Sequence, residues 1–169
     1  MKRTPFLKIL EKISDILNKV LTFMGGVILV IMVVLTCANI VSRLFWVPIS
    51  GTFEMMGYFG AMVTAFALGY TQVKRGHIAV DVLVNTFPRR VKRILTLVNN
   101  FICCLLFLVV AWQIAVKATT LMETGEVTET LQVIYYPFTY AVAFGCLILA
   151  LTLLTELIRS FMPEERSTG

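Results

Sequence analysis

The chain has 169 residues, 58% of them hydrophobic and 15% charged, with a mean hydropathy of +0.85. Because soluble domains have about 25% charged residues, this composition excludes a chain that covers its surface with polar groups in water, and it indicates a lipid bilayer as the solvent. The net charge of +5 does not indicate nucleic-acid binding, because the basic residues flank apolar runs and form no continuous stripe. The length is that of one domain.

The first predicted element is an amphipathic helix over residues 1–20. Thr4 is a good N-cap and Pro5 suits the first helical position. Apolar residues then recur at helical spacing on one face, and lysines and acidic residues occupy the other. This pattern before a membrane span is typical of a helix in the plane of the membrane interface. A helix packed on another subunit is the alternative.

Four long apolar segments follow, and they predict an all-α integral membrane protein with a transmembrane domain over residues 21–162. Each segment is long enough to cross a bilayer as a helix at ~1.5 Å per residue. The expected spans are residues 21–46, 53–73, 94–116 and 133–158, with a polar tail over 163–169. Because Lys and Arg concentrate at the N-terminus and in the middle loop, the positive-inside rule predicts that both termini are cytoplasmic.

The second predicted span carries small residues at intervals of four. Residues four apart lie on one face of a helix, and small side chains let two backbones approach closely in a membrane. We therefore expect this strip to pack against another helix or another subunit. Its members are Gly57, Ala61, Ala65 and Gly69.

Polar residues cluster at both ends of this second span. Arg43 and Glu54 flank the same short turn, so we consider an ion pair between them as a hypothesis. At the other end, an internal salt bridge or a helix cap involving Asp81 is as plausible as a solvated charge. The candidates for structural or interface roles are Arg43, Glu54, Tyr58, Arg75, His77 and Asp81.

The sequence offers no reactive constellation. His77 is the only histidine, the four cysteines lie in apolar segments, and no charge falls near the middle of any predicted span. We therefore predict no catalytic, cofactor-binding or metal site, and expect a protein that holds or orients a partner in the membrane. The alternative is a self-contained four-helix exporter acting as a homodimer, for which Glu54 is the one candidate coupling carboxylate.

Three motifs give this chain a family resemblance. They are NIVSR at Asn39–Arg43, Glu54 with Tyr58, and RGHIAVD at Arg75–Asp81. With Gly125, aromatic residues and Pro137 before the last span, their order resembles the small membrane subunit (DctQ-like) of tripartite ATP-independent periplasmic (TRAP) transporters. The stretch Phe53-Glu54-Met55 departs from the family, which often has Trp before an acidic pair, so a paired-carboxylate role is not carried over.

The resemblance implies a complex in the bacterial inner membrane, surrounded by membrane lipids. A large membrane subunit carries the sodium and substrate sites, and a periplasmic substrate-binding protein delivers an organic acid such as sialic acid or a C4-dicarboxylate. Uptake uses the sodium gradient, and the small subunit is the scaffold that stabilises and anchors the large one. The acidic loop residues Glu123, Glu126 and Glu129 are then candidates for contact with the periplasmic partner, the alternative being ordinary solvated charge.

Overall fold

The computed structural model describes residues 5–45, 47–74 and 89–161 of the chain. These residues form four helices, which are α1 (Pro5–Phe45), α2 (Thr52–Val73), α3 (Arg89–Thr124) and α4 (Tyr136–Phe161). Within these ranges there is no β-strand, and an isolated antiparallel bridge joins Val127 to Ile134 in the α3–α4 connection. The all-helical class predicted from the sequence is confirmed.

The first helix is continuous over 41 residues, about 60 Å at 1.5 Å per residue. The helix therefore has no break at residue 20, where the interfacial helix and the first span are expected to meet, and the interfacial position of the segment before residue 20 stays a prediction. No proline interrupts this stretch, and Gly25 and Gly26 stay helical within it. The amphipathic segment also packs on the bundle, because Ser14 and Asn18 are buried against α4.

The fourth helix lies at the centre of the bundle, where it packs against each of the other three. Half of its most apolar stretch is buried, compared with 11% for α1 and 17% for α3. One core cluster forms where α1, α2 and α4 meet, and a second lies between α3 and α4. Consequently, α1 and α3 present long apolar faces outward, which suits lipid or a partner subunit.

Contacts along the helices give their relative directions. On α1 and α2, Thr36 bonds the Met56 sulfur at 3.6 Å near one end, and Asn18 faces Gly69 near the other, so these helices are antiparallel. The α2 and α4 helices are parallel, because Tyr58 contacts Phe138 near the start of both helices and Gln72 bonds Glu156 near the end of both. The bundle thus alternates direction from each helix to the next.

Three of these helices are long and apolar enough to cross a membrane, judged over the described residues by length and composition. Their candidate spans are Ile9–Phe45, Leu97–Thr124 and Tyr136–Arg159. The α2 helix has 22 residues, which suffices for a span, but its tyrosines, threonines and Gln72 dilute its apolar character. Composition therefore supports three of the four expected spans.

Candidate functional site

The connection between α3 and α4 folds into a short hairpin, residues 125–135, that lies over the start of α2. The Thr128 N–H donates to the Val133 carbonyl at 3.0 Å, and the Gln132 N–H donates to the Thr128 carbonyl at 3.1 Å. The Thr128 hydroxyl, which is buried, accepts the Val133 N–H at 3.1 Å. These bonds fix the shape of a loop that lacks regular secondary structure.

Glu54 fastens this hairpin to α2. Its carboxylate accepts the backbone N–H of Thr130 at 2.9 Å and that of Leu131 at 3.4 Å. Glu54 lies in the first turn of α2, where the partial positive charge of the helix end also favours a carboxylate. A single side chain therefore joins the N-terminus of α2 to the tip of the hairpin.

The hairpin also covers the turn between α1 and α2. Gly51 has φ 77°, a left-handed conformation that favours glycine. A Cβ atom added to Gly51 would overlap the side chain of Leu131. Both the conformation and the close approach require glycine at this position.

The NIVSR motif at the end of α1 bonds the backbone of the α1–α2 turn. The Asn39 side chain accepts the Ile49 N–H at 2.9 Å, and the Ser42 hydroxyl donates to the Val47 carbonyl at 2.6 Å. Glu54 is engaged by the hairpin, and no ion pair joins it to Arg43 within the described chain. The hypothesis of an Arg43–Glu54 pair is therefore wrong, and Arg43 is exposed at this edge.

An aromatic stack completes the same edge. The Tyr58 ring stacks with that of Tyr135, at a centroid distance of 5.5 Å, and with that of Phe138, at 5.7 Å. Phe59 meets Phe138 edge-on at 5.9 Å. The Tyr135 hydroxyl donates to the Glu126 carboxylate at 2.6 Å. This hydrogen bond, together with desolvation and the nearby charge of Glu126, raises the pKa of Tyr135 to about 12.

We call this assembly the edge clamp: the hairpin, Glu54, Gly51, Asn39 and the Tyr58 stack. Of the three acidic residues predicted as partner contacts, Glu126 serves the clamp internally through Tyr135. All three carboxylates are exposed, with Glu123 near the end of α3 and Glu129 within the hairpin. The clamp joins the start of α2 to the α3–α4 connection through hydrogen bonds and ring contacts.

The small residues of α2 divide into two pairs. Ala65 and Gly69 are buried, and a Cβ on Gly145 of α4 would lie 3.0 Å from that of Ala65. Gly57 and Ala61 are exposed, and nothing lies within 4 Å of a Cβ placed on Gly57. Steps of four residues rotate by about 40° around a helix, so the two ends of the strip face different directions.

Sequence reasoning missed a polar lock inside the bundle. Asn18 donates to the Thr152 hydroxyl and to the Ser14 carbonyl, each at 2.9 Å, and the Ser14 and Thr152 hydroxyls are 3.0 Å apart. Asn18 is 2% exposed, its Oδ1 atom has no hydrogen-bond partner among the described residues, and a Cβ on Gly69 would collide with it. The available signal was the spacing of Ser14 and Asn18, which lie four apart on one face of the amphipathic segment.

The opposite end of the bundle is polar. The Gln72 amide donates to the Glu156 carboxylate at 2.8 Å, next to a cavity of about 190 Å³ that Glu11, Asp15 and Arg159 also line. The predicted site residues Arg75, His77 and Asp81 lie outside the described residues. Among the residues that are described, no group of three or more His, Cys, Asp or Glu side chains has a geometry that could hold a metal ion.

Comparison with protein-family models gives a match over residues 32–162, to the model described as tripartite ATP-independent periplasmic transporters, DctQ component. The matched segment covers well over half of the chain. The chain belongs to the DctQ family. No curated protein matched it, and no solved structure did.

The DctQ match contains every element of the edge clamp, from Asn39 to Phe138. It leaves out Ser14 and Asn18, which contribute the α1 half of the polar lock. DctQ is a family of transporter components, not of enzymes, and the chain is accordingly a component of a TRAP transporter.

Proposed function

We propose that this DctQ protein is the scaffold of a sodium-gradient-driven TRAP transporter, which stabilises and anchors the large transport subunit. The transporter imports an organic acid, such as sialic acid or a C4-dicarboxylate, delivered by a periplasmic binding protein. The observation that carries this proposal is the family match over residues 32–162. The distribution of charge supports it, because no charged residue occurs between Lys19 and Arg43, between Glu54 and Lys74, or between Arg93 and Lys117.

An uncharged interior favours a scaffold over a carrier. Ion-coupled carriers place polar or ionisable groups near the bilayer midplane. Here the carboxylate of Glu54, at the edge of α2, is engaged by hairpin backbone N–H groups. The hydrogen bonds of Glu54 position the hairpin. The sodium and substrate sites then belong to the large subunit.

The alignment of α2 with α4 supports four membrane spans. Tyr58 meets Phe138 near one end of the pair, and Gln72 meets Glu156 near the other. Since α2 accompanies α4 for almost its whole length, it crosses the bilayer wherever α4 does. Several polar residues of α2 have hydrogen-bond partners, because Thr64 and Thr71 donate to carbonyls of their own helix and Gln72 donates to Glu156 of α4.

Four spans place both termini on one side of the membrane, and the positive-inside rule makes that side the cytoplasm of a bacterial inner-membrane protein. The edge clamp then faces the periplasm. Its exposed carboxylates, Glu123 and Glu129, are available to a periplasmic binding protein. The clamp fixes these groups relative to α2 and α4, so the contact surface stays rigid while other parts of the transporter move.

Transport reconstitution tests the proposed function. Proteoliposomes would hold the large subunit with or without this chain, and the cognate binding protein would deliver labelled organic acid from outside. We expect uptake that requires an inward sodium gradient and this chain, and none from vesicles that hold this chain alone. Uptake by the chain alone would establish the self-contained carrier, and full uptake without it would remove the scaffold role.

Labelling of introduced cysteines tests the topology. The natural cysteines, Cys37, Cys103, Cys104 and Cys146, are first replaced by alanine. A membrane-impermeant maleimide should then label Glu129→Cys in intact cells and label Lys74→Cys only after the inner membrane is permeabilised. Labelling of both positions in intact cells would contradict the proposed orientation.

A further inference from the structure

A shallow groove of about 190 Å³ lies on the surface of α4 between α2 and α3. The groove is lined by Tyr58, Ala61, Ile114, Phe138, Thr139 and Val142. Four of these side chains are hydrocarbon only. The Thr139 hydroxyl is already used, since it donates to the Tyr135 carbonyl at 3.3 Å. The groove therefore presents an almost wholly apolar surface.

The groove exists because the outward half of the small-residue strip has no helix against it. Ala61 is exposed and contributes only a methyl group to the wall. One turn nearer the edge clamp, nothing lies within 4 Å of a Cβ placed on Gly57. Small side chains on α2 thus leave an open path that runs from the groove toward the membrane edge.

The apolar lining of the groove fits a hydrocarbon chain. An acyl chain is a single file of methylene groups, and it can lie lengthwise in a shallow groove whose walls are mainly aliphatic and aromatic.

A cation on α3 lies about one helical turn from the groove lining, on the side nearer the hairpin. Lys117 comes three residues after Ile114 on α3, which places it on the same side of the helix and about 4.5 Å nearer the hairpin. It is exposed, and it is the first charged residue after Arg93. A lysine at the end of an apolar groove matches the phosphate of a phospholipid.

We propose that this groove is a phospholipid-binding site, in which one acyl chain lies against Ala61 and Phe138 and Lys117 holds the anionic headgroup. The ligand class is an anionic membrane phospholipid of the phosphatidylglycerol type. Neither the groove nor Lys117 depends on the transported substrate, so this inference stands apart from the proposed function.

Native mass spectrometry of the full chain, isolated in mild detergent with its associated proteins, tests the site with added phosphatidylglycerol as probe. We expect a bound lipid that is lost from Ala61→Phe, where the ring fills the groove, and retained by Ala67→Phe on an exposed face of the same helix. Lys117→Gln should weaken phosphatidylglycerol binding about fivefold and leave phosphatidylethanolamine binding unchanged. Equal lipid retention by Ala61→Phe and Ala67→Phe would overturn the proposal.

A second measurement keeps the proposal falsifiable if Ala61→Phe does not fold. Phosphatidylglycerol with a diazirine in its acyl chain would be irradiated with the unaltered protein, and the labelled peptides would be sequenced. Labels on peptides that contain Ala61 or Ile114 are expected. Labels spread evenly over α1 and α3 would contradict the proposed lipid site. A groove that is shielded from lipid by a helix of another subunit would also contradict it.

Discussion

The backbone N–H of Thr130 lies 2.9 Å from the carboxylate of Glu54, although the two residues are 76 positions apart in the sequence. Leu131 adds a second N–H at 3.4 Å and rests its side chain on Gly51. Through these contacts one acidic residue at the edge of α2 positions the loop between α3 and α4. Glu54 therefore has a structural role, which is to hold the hairpin against the start of α2.

Glu54→Ala should release the hairpin while the helices stay packed. Both backbone N–H groups lose their acceptor, so amide hydrogen exchange at Thr130 and Leu131 should become faster, as hydrogen-exchange mass spectrometry of the detergent-solubilised protein would measure. Glu129→Ala, on the same hairpin, is the control and should leave exchange unchanged. Unaltered exchange at Thr130 and Leu131 in Glu54→Ala would show that the clamp does not depend on this carboxylate.

Gly51→Ala should destabilise the protein by ~1–2 kcal/mol or more, since a left-handed backbone alone costs alanine about this much and the added Cβ would overlap Leu131. The apparent midpoint of thermal unfolding in detergent should therefore fall. Gly26→Ala is the matched control, because it lies within α1 with nothing within 4 Å of the added methyl group. A midpoint as high for Gly51→Ala as for Gly26→Ala would contradict the close approach of the hairpin.

The helices of this protein follow closely from its sequence where charge and helix end coincide. The second span was expected over residues 53–73, and α2 runs from Thr52 to Val73, because Gly51 and Lys74 mark both the chain turns and the limits of the apolar run. The third was expected to end at residue 116, yet α3 continues to Thr124. Lys117 interrupts the hydropathy pattern without breaking the helix, which ends at Gly125 with φ 64°.

The site was less predictable, because long-range contacts leave no periodic signal. A sequence motif points to Glu54 and Tyr58 but not to their partners Thr130 and Tyr135, since no pattern in the sequence pairs the start of one helix with a distant loop. Periodicity in α1 predicts an apolar face, yet Ile13 and Ile16 of that face are exposed, and the polar Ser14 and Asn18 are the buried residues. It could not tell that Ser14 and Asn18 turn toward α4, because that depends on how the helices pack.

Gly69→Ala should weaken the packing of α1 on α2, whereas Gly57→Ala should be tolerated. A methyl group at Gly69 collides with the Asn18 amide, and the space around Gly57 is open. Overpacking of this kind costs ~1–3 kcal/mol, which should lower the unfolding midpoint and increase protease sensitivity. Because both residues belong to the same strip, similar midpoints for the two variants would show that the strip does not divide as described.

Thr152→Val should cost about 0.5–1.5 kcal/mol, the range for an interhelical hydrogen bond in a membrane. The substitution preserves shape and removes the hydroxyl that Asn18 and Ser14 both contact. Thr64→Val is the control, since that exposed hydroxyl bonds only the carbonyl of Gly60 in its own helix. Chemical denaturation in mixed micelles would measure both, and equal stabilities would argue against the polar lock.

The scaffold role is tested most directly by isolating the tagged full chain from its native membrane in mild detergent and identifying the proteins that accompany it by mass spectrometry. A scaffold should bring down a large polytopic membrane protein in stoichiometric amount. A chain that purifies without such a partner, as a stable homo-oligomer, would contradict the scaffold role and favour a self-contained carrier.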